Sequence, residues 1–249
     1  MKALITGASS GIGRDMAKVL SNMGYDLILV ARRKDKLLEL SNELKTEVEI
    51  INIDISSTFN CMKLYNKTKK ADIDVIVNNA GFGVYGEFAK TKIDLELDMI
   101  DLNIKSLHTL TKLYLKDFKE KNKGYILNVA SAASFMPGPL MASYYATKAY
   151  VLHFSEAISE ELRKNSSNVY IGALCPGPVA TEFNSIAGVS FNLKSLDSYD
   201  VALYGIKQMF KRKTVIIPGT LMKITIFCSK FVSRKLKLKI SYSIQEKKH

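Results

Sequence analysis

Short apolar segments alternate with longer amphipathic segments along most of this 249-residue chain. The apolar segments are rich in Val, Ile and Leu without strict alternation, which is typical of strands buried on both faces of a parallel sheet. The predicted strands are Ala3–Thr6, Asp26–Ala31, Glu49–Ile53, Asp74–Asn78, Tyr125–Ala130, Val169–Cys175 and Thr214–Ile217. Helical patterns lie between them, near residues 12–23, 35–45, 58–70, 93–121, 143–164 and 198–211. This order predicts an α/β fold with a doubly wound parallel seven-stranded sheet, helices on both faces, and a ligand crevice at the carboxyl ends of the strands.

The bulk composition suits one intracellular domain. A hydrophobic content of 47% is enough for a substantial core, and α/β domains often run to about 200–250 residues. The first predicted strand begins within the first few residues, which leaves no room for a signal peptide, so we expect a cytoplasmic protein. Cys61, Cys175 and Cys228 are an odd number at unrelated spacings, and the three histidines are far apart in sequence. We therefore expect neither a disulfide framework nor a metal site.

Nearly all of the net charge of +12 lies at the C-terminal end. Residues 207–249 hold 12 Lys or Arg and one acidic residue, Glu246, whereas residues 1–206 hold 24 basic and 23 acidic residues. Any acidic partner would therefore meet the C-terminal segment. No recognised nucleic-acid motif accompanies these charges, so the sequence argues against nucleic-acid binding.

A tyrosine, a lysine and a serine have a spacing suited to acid–base chemistry. Tyr144 and Lys148 are four residues apart and share one face of a predicted helix, and Ser131 lies thirteen positions before the tyrosine. An ammonium beside a phenol favours the phenolate, so we expect Lys148 to lower the Tyr144 pKa from its usual value of about 10. A general acid of that kind could protonate a carbonyl oxygen near neutral pH.

A glycine-rich turn follows the first predicted strand. Gly7, Gly11 and Gly13 let the backbone approach a pyrophosphate, and the following helix offers N–H donors and the positive end of its dipole. A tight strand-to-helix connection is the alternative, because the spacing differs from GxGxxG. Together with Tyr144 and Lys148, the turn suggests hydride transfer between a nicotinamide and a carbonyl or alcohol.

The end of the second predicted strand favours NADP(H) over NAD(H). Ala31 stands where NAD-binding proteins usually carry a carboxylate, and the guanidinium groups of Arg32 and Arg33 suit a 2′-phosphate. A solvated basic turn is the alternative. After the third strand, Asp54 and Ile55 are placed to hold an adenine, although Asp54 could instead cap the following turn.

Taken together, the motifs resemble the classical short-chain dehydrogenase/reductase family over roughly residues 1–220. The motifs are, in order, the TGxxxGxG turn at residues 6–13, Asp54, the NNAG segment at residues 78–81, Asn103, Ser131, YxxxK at residues 144–148, and Pro176-Gly177. The resemblance implies a single Rossmann-type domain at residues 1–219, a homodimer or homotetramer, and a small-molecule carbonyl or alcohol substrate. Residues 220–249 would form a basic, apolar C-terminal extension.

The resemblance also implies a role for each motif residue. Tyr144 would be the catalytic acid in the reductive direction, Ser131 would polarise the substrate carbonyl, and Lys148 would bind the nicotinamide ribose. Asn103 would hold a water that links Lys148 to solvent. The implied NADP(H) contacts are Gly7, Ser9, Ser10, Gly11, Ile12, Gly13, Arg32, Arg33, Asp54, Ile55, Asn79, Ala80, Gly81, Tyr144, Lys148, Pro176, Gly177, Val179 and Thr181.

Two neighbouring residues compete for these roles, and a second function competes with catalysis. Tyr145 has Ala149 rather than a lysine four positions on, which favours a packing or pocket-wall role. Ser134 is the alternative to Ser131, but the thirteen-residue offset to the tyrosine favours Ser131. A non-catalytic NADP(H)-binding sensor is the alternative to an enzyme, although the intact tyrosine and lysine favour the enzyme.

The substrate is expected to be a medium-sized or extended apolar carbonyl, such as a ketone or a 3-oxoacyl thioester. The segment from Glu182 to about Ser198 is mostly apolar and is placed to close over the substrate. Its apolar members are Phe183, Ile186, Val189, Phe191 and Leu193, and the opposite wall is predicted to be Phe135, Met136, Pro137, Leu140 and Met141.

The C-terminal extension mixes apolar and basic residues. It has no run of 18 uncharged apolar residues, so it is not expected to span a bilayer. Packing against another subunit, covering the substrate cleft, lying on an anionic membrane surface and meeting an acidic carrier all fit this composition. Lys and Leu or Ile alternate over residues 234–240, which predicts a strand there.

Overall fold

A single parallel sheet forms the centre of the protein. The computed structural model describes residues 1–183 and 195–246. The strands are β1 Lys2–Thr6, β2 Asp26–Ala31, β3 Val48–Asn52, β4 Val75–Asn78, β5 Tyr125–Val129, β6 Tyr170–Leu174 and β7 Val215–Ile216. They pair in the order β3-β2-β1-β4-β5-β6-β7, and every pair is parallel. The order reverses direction after β1, so the predicted doubly wound sheet is confirmed.

Helices connect the strands. They are α1 Gly11–Asn22, α2 Lys34–Glu43, α3 Thr58–Thr68, α4 Ile93–Ile100, α5 Leu107–Lys121, α6 Ala142–Lys164, α7 Ser198–Phe210, α8 Thr220–Ser229 and α9 Arg234–Glu246. A π-helical segment, Asp101–Ser106, joins α4 to α5, and a 3₁₀ turn, Ala132–Phe135, precedes α6. The seven predicted strands and six predicted helical stretches all lie within two residues of these bounds.

Both faces of the sheet are buried. Alternate residues of β1 face opposite sides, so that Ile5 packs in a cluster with α1 and α7, and Leu4 packs in a cluster with α3 and α5. Each fully buried aliphatic side chain of this kind contributes about 1.5–3 kcal/mol. This two-sided burial explains why the strands read as continuous apolar runs rather than as alternating ones.

The predicted strand at residues 234–240 is wrong, because this segment is the first half of helix α9. The helix is held by polar contacts rather than by its alternating leucines. The side-chain amide of Gln245 donates a hydrogen bond to the Tyr145 hydroxyl, and the backbone carbonyl of Gln245 accepts one from the Tyr85 hydroxyl. Those contacts are separated by 100 and 160 residues in sequence, which a local pattern does not reveal.

A buried polar network joins the middle strands to α5 and α6. Asn128 of β5 accepts a hydrogen bond from Asn78 Nδ2 at 2.9 Å and donates one to Ser155 Oγ at 2.9 Å. Asn78 Nδ2 also lies 3.1 Å from Thr111 Oγ1. All four side chains are almost fully buried, so each needs its partners within the protein.

We predict that Asn128→Ala lowers the free energy of unfolding by about 2–3 kcal/mol, because it strips partners from two buried polar side chains. Urea denaturation measures the change. Asn66→Ala, at an exposed position of α3, is the control and should change the value by no more than about 0.5 kcal/mol. Equal effects of the two substitutions would contradict a stabilising role for the network.

Candidate active site

A cavity of about 700 Å³ opens at the carboxyl ends of the strands. Its lining contains nearly all of the residues that the sequence assigned to the cofactor and to catalysis. These are Gly7, Ser9, Ser10, Gly11, Ile12, Arg32, Arg33, Asp54, Ile55, Asn79, Ala80, Gly81, Ser131, Tyr144, Lys148, Pro176, Gly177, Val179 and Thr181. Gly13 and Asn103, by contrast, are buried behind the wall. The strand ends thus bring together residues from all parts of the first 181 positions.

The turn between β1 and α1 fits closely against the segment that follows β4. Gly7 has a φ of +65°, and a Cβ at this position would lie 2.8 Å from the Ala80 Cα. Only glycine meets both requirements without strain. The Ser10 side chain makes no capping hydrogen bond at the start of α1, so backbone N–H groups there are available to an anion. The turn therefore offers the cradle that a pyrophosphate requires.

Asn79 holds the cradle together from behind. Its Nδ2 donates hydrogen bonds to the carbonyls of Thr6 and Gly7, both at 3.1 Å. The Thr6 hydroxyl in turn accepts from the backbone N–H groups of Asn79 and Ala80, at 3.0 and 3.1 Å. Asn79, which the sequence predicts to contact the cofactor, therefore also joins the ends of β1 and β4.

Tyr144 and Ser131 lie together on the wall formed by the first turn of α6 and the end of β5. Tyr144 is 8% exposed and lines the cavity beside Ser131, which opposes the rise of the Tyr144 pKa and whose Oγ accepts from the Ala133 N–H at 3.1 Å. Ser134, the competing serine, instead donates to the Lys148 carbonyl at 2.7 Å. The structure therefore brings Ser131, rather than Ser134, to the tyrosine hydroxyl.

Lys148 lies one turn further along α6 and is 5% exposed. Its Nζ donates a hydrogen bond to the Val129 carbonyl at 2.9 Å and lies 6.0 Å from the centroid of the Tyr144 ring. A Cβ at Gly81 would lie 3.4 Å from the same Nζ and 2.7 Å from Asn103 Oδ1. Gly81 is therefore required for the close approach of the lysine, the asparagine and the loop after β4.

Burial shifts both titratable groups away from their charged forms. It raises the pKa of Tyr144 to about 12, against the opposite effect of the Ser131 hydrogen bond. It also lowers the pKa of Lys148 from 10.5 to about 8. The expected lowering of the tyrosine pKa by Lys148 is therefore wrong for this structure, because loss of hydration outweighs the influence of an ammonium that is directed to Val129.

Asn103 occupies the π-helical segment, which the sequence had merged into one continuous helix over 93–121. Its Nδ2 donates to the Phe82 carbonyl at 2.9 Å and to Thr147 Oγ1 at 3.1 Å, and its Oδ1 accepts from the Phe82 N–H at 3.1 Å. The asparagine thus fastens the loop after β4 to helix α6. Single π-helical turns frequently mark functional sites in longer helices.

The two arginines after β2 are already paired with carboxylates. Arg33 Nη2 lies 2.8 Å from Glu182 Oε2 and 3.2 Å from Ser9 Oγ, and Arg32 Nη1 lies 3.6 Å from Asp54 Oδ2. The Arg33 guanidinium also contributes most to the lowered pKa of Glu182. The sequence analysis placed Glu182 only at the start of the segment predicted to cover the substrate. It missed the ion pair between Glu182 and Arg33, which is a predicted cofactor-binding residue.

The other end of the cavity is apolar. Met141 and Phe183, which the sequence predicted, line it, and the Phe183 ring lies 5.3 Å from the Tyr144 ring. Tyr145 also lines the cavity, which agrees with its predicted pocket-wall role, whereas Phe82, Leu95 and Leu102 were missed because they come from distant segments. Phe135 was placed wrongly, since it packs against the core cluster around α6 and β6. Ile186, Val189, Phe191 and Leu193 lie outside the described residues.

A doubly wound sheet with a glycine-rich turn at its carboxyl edge is typical of nucleotide-binding proteins, and Ser131, Tyr144 and Lys148 line one cavity beside that turn. The profile of the short chain dehydrogenase family matches residues 1–188. The chain therefore belongs to the short-chain dehydrogenase/reductase family, and it is expected to bind a nicotinamide cofactor as that family does.

One curated protein and two solved structures illustrate what the chain is similar to. The very-long-chain 3-oxoacyl-CoA reductase of Rattus norvegicus is 33% identical over 205 residues, which are 79% of this chain and 65% of the rat protein. A short-chain dehydrogenase from Sphingobium yanoikuyae in complex with NADPH has a TM-score of 0.83, with 29% identity over 94% of each chain. A Burkholderia phymatum relative in complex with NAD also has a TM-score of 0.83 and is 22% identical over 90% of this chain and 91% of its own.

We predict that Lys148→Met raises the free energy of unfolding at pH 7 by about 1–3 kcal/mol, because it removes a buried charge whose pKa is lowered from 10.5 to about 8. The folded protein binds fewer protons than the unfolded chain between about pH 8 and 10.5. Stability of the native protein therefore rises across that window, and the advantage of the variant shrinks. Urea denaturation at pH 7 and pH 10 measures both effects.

Lys63→Met, at an exposed position of α3, is the matched control and should leave stability within about 0.5 kcal/mol at either pH. A gain for Lys148→Met that is the same at pH 7 and pH 10 would show that Lys148 is not the group responsible for the pH dependence.

Proposed function

We propose that the protein is an NADP(H)-dependent reductase that converts an extended apolar ketone or 3-oxoacyl substrate into a secondary alcohol. The observation that carries the proposal is that Ser131, Tyr144 and Lys148 line one cavity, at the junction of its two halves. One half has the glycine-rich cradle and the other has the apolar wall. A carbonyl that reached this junction would meet a donor for its oxygen and lie beside the nicotinamide.

In this proposal, Tyr144 supplies the proton, and a dihydronicotinamide held in the cavity would supply the hydride that reduces the carbonyl carbon. The O–H bond of Tyr144 breaks as the C=O π bond is reduced, and its proton passes to the carbonyl oxygen to form the alcohol, which leaves a phenolate to be reprotonated. The raised Tyr144 pKa keeps the hydroxyl protonated at neutral pH, so the acid form is fully populated before the reaction. Ser131 orients and polarises the carbonyl.

In this proposal, Lys148 and Asn103 support Tyr144 as the proton donor. Lys148, with a pKa of about 8, exchanges protons readily near neutral pH, and it would contact the nicotinamide ribose as the family resemblance implies. Asn103 keeps the loop after β4 close to Lys148 through its bonds to Phe82. A water bound at Asn103 that returns protons from solvent is the role the family resemblance assigns to it.

The preference for NADP(H) rests on the end of β2. Ala31 leaves no carboxylate there, and Arg32 and Arg33 both line the cavity. A 2′-phosphate would offer each guanidinium a stronger partner than a single carboxylate, whereas a ribose hydroxyl would not displace Glu182 from Arg33. The relative with NADPH supports this preference, and the more distant relative with NAD supports only the shared fold.

The substrate class rests on the apolar half of the cavity. Phe82, Met141 and Phe183 supply a wall without charge beside Tyr144. The name of the rat relative adds support for a 3-oxoacyl substrate, although this chain spans only about 65% of that protein's length. A cytoplasmic location and a homo-oligomeric state stay predictions from sequence and family resemblance.

We predict that Tyr144→Phe lowers turnover by about 10²–10⁴-fold in NADPH oxidation with a panel of apolar ketones and 3-oxoacyl thioesters, because it removes the general acid. NADPH binding, measured by fluorescence, should be nearly unchanged. Tyr145→Phe is the matched control, since Tyr145 lines the same cavity but bonds to Gln245, and it should retain most of the activity.

Activity that survives Tyr144→Phe would overturn the catalytic assignment. Tight NADPH binding by the native protein without turnover of any panel member would instead favour the alternative function of a nucleotide-binding sensor.

We predict that Arg33→Ala raises the Kd for NADPH by about tenfold or more and changes the Kd for NADH by less than about threefold, since only NADPH places a phosphate at that guanidinium. Glu182→Gln should strengthen NADPH binding, because it removes the carboxylate that occupies Arg33. Isothermal titration measures both. Arg163→Ala, which breaks an exposed pair with Glu160, is the control, and equal losses for NADPH and NADH would contradict the assignment.

A further inference from the structure

The last two helices, α8 and α9, form an exposed surface beside the mouth of the cavity. Helix α8 docks through Ile226, which is buried, and through Met222, whose Cε lies against Gly177 of the cavity lining. Helix α9 docks through Gln245, which is bonded to Tyr145 of the lining. We call residues 220–246 the C-terminal surface. It adjoins the cavity at both helices.

Helix α8 turns a row of large apolar side chains to solvent. Leu221, Ile224 and Phe227 recur at helical spacing, and Phe231 follows just beyond the helix. Leu221 and Phe231 are each 79% exposed and Phe227 is 59% exposed, with the Phe227 and Phe231 rings 5.4 Å apart. A contiguous aromatic and aliphatic row of this kind is rarely left in water.

Helix α9 has the reverse of the usual burial pattern. Its buried side chains are the polar Ser241 and Gln245, which lie on one face at a spacing of four residues. Both flanks of that face are apolar and exposed, and they comprise Leu236, Ile240 and Ile244 on one side and Leu238 and Tyr242 on the other. Lys235 and Lys239 lie between the flanks on the outermost face. A helix that packs only within its own domain would bury the leucines instead.

The positive charge of the C-terminal surface indicates which kind of partner it can bind. Residues 220–246 hold six Lys or Arg and one acidic residue, Glu246. A second copy of the chain docked through a two-fold axis would bring the same surface to itself and oppose two sets of like charges. An anionic lipid surface complements them, since lysine and arginine bind lipid phosphates while the apolar side chains enter the acyl boundary.

We propose that the C-terminal surface binds the face of an anionic lipid bilayer. The exposed row of α8 and the apolar flanks of α9 enter the headgroup boundary, and the lysines between them lie at the level of the phosphates. Binding is peripheral: within residues 1–183 and 195–246, none of the helices has the length and apolar character needed to cross a membrane. Since the surface adjoins the cavity, docking would present the cavity mouth to the lipid.

The test is sedimentation of the intact protein with vesicles of phosphatidylcholine alone or of phosphatidylcholine with phosphatidylserine. The proposal requires binding to the anionic vesicles, and loss of binding at high salt. Lys235→Glu/Lys239→Glu should weaken it by about tenfold or more, at roughly 1 kcal/mol per basic residue. Phe227→Ser/Phe231→Ser should also weaken it, because the apolar anchor is lost.

Matched controls lie on α3, where Phe59 is 77% exposed and Lys63 is also exposed, and in the turn that follows it, where Lys70 is exposed. Phe59→Ser and Lys63→Glu/Lys70→Glu should bind vesicles like the native protein. NADPH binding is measured for every variant to verify that the fold is intact. This measurement does not depend on whether the variant binds vesicles.

Three results would overturn the proposal. These are failure of the intact protein to sediment with anionic vesicles, equal binding to neutral and anionic vesicles, and equal weakening by the α3 controls. Light scattering measures the oligomeric state and tests the alternative that this surface binds a second copy of the chain. If Phe227→Ser/Phe231→Ser converts an oligomer into a monomer without any vesicle binding by the native protein, the surface belongs to a second copy.

Discussion

Burial of the central sheet on both faces is the constraint on which the remaining structure depends. Residues such as Leu4 and Ile5 are completely buried on opposite sides of the same strand, so the faces of the sheet have no room for a polar ligand. Polar chemistry is confined to the carboxyl edge, where strands end and backbone groups become free. The glycine-rich turn, the two arginines and the Ser131–Tyr144 pair therefore share one cavity.

The same burial determines the electrostatics of the site. Tyr144 and Lys148 are withdrawn from water, and each is shifted toward its neutral form. The lysine is held by the Val129 carbonyl at the end of β5, which compensates part of the lost hydration. Burial of this kind costs stability, and it keeps a protonated phenol and an amine with a lowered pKa together in one cavity.

Most of the fold was predictable because its signals are local. Apolar runs, helical periodicity and the glycine-rich turn each extend over a few residues, and the seven strands appear within two residues of their predicted bounds. The predictions that failed depended on distant contacts. Residues 234–240 belong to helix α9, whose buried Gln245 bonds to Tyr145 and Tyr85, and Asn103 in the π-helical segment bonds to Phe82 and Thr147.

The sequence alone determined the fold class, the family, and the identity of the Ser, Tyr and Lys at the centre of the cavity, because their types and spacings are local and specific. Only the tertiary structure decided which apolar side chains line the cavity, that Glu182 pairs with Arg33, and that the leucines of α9 face outward. It also reversed the expected shift of the Tyr144 pKa. Hydration and long-range pairing are properties of the assembled molecule, and a one-dimensional pattern carries no measure of either.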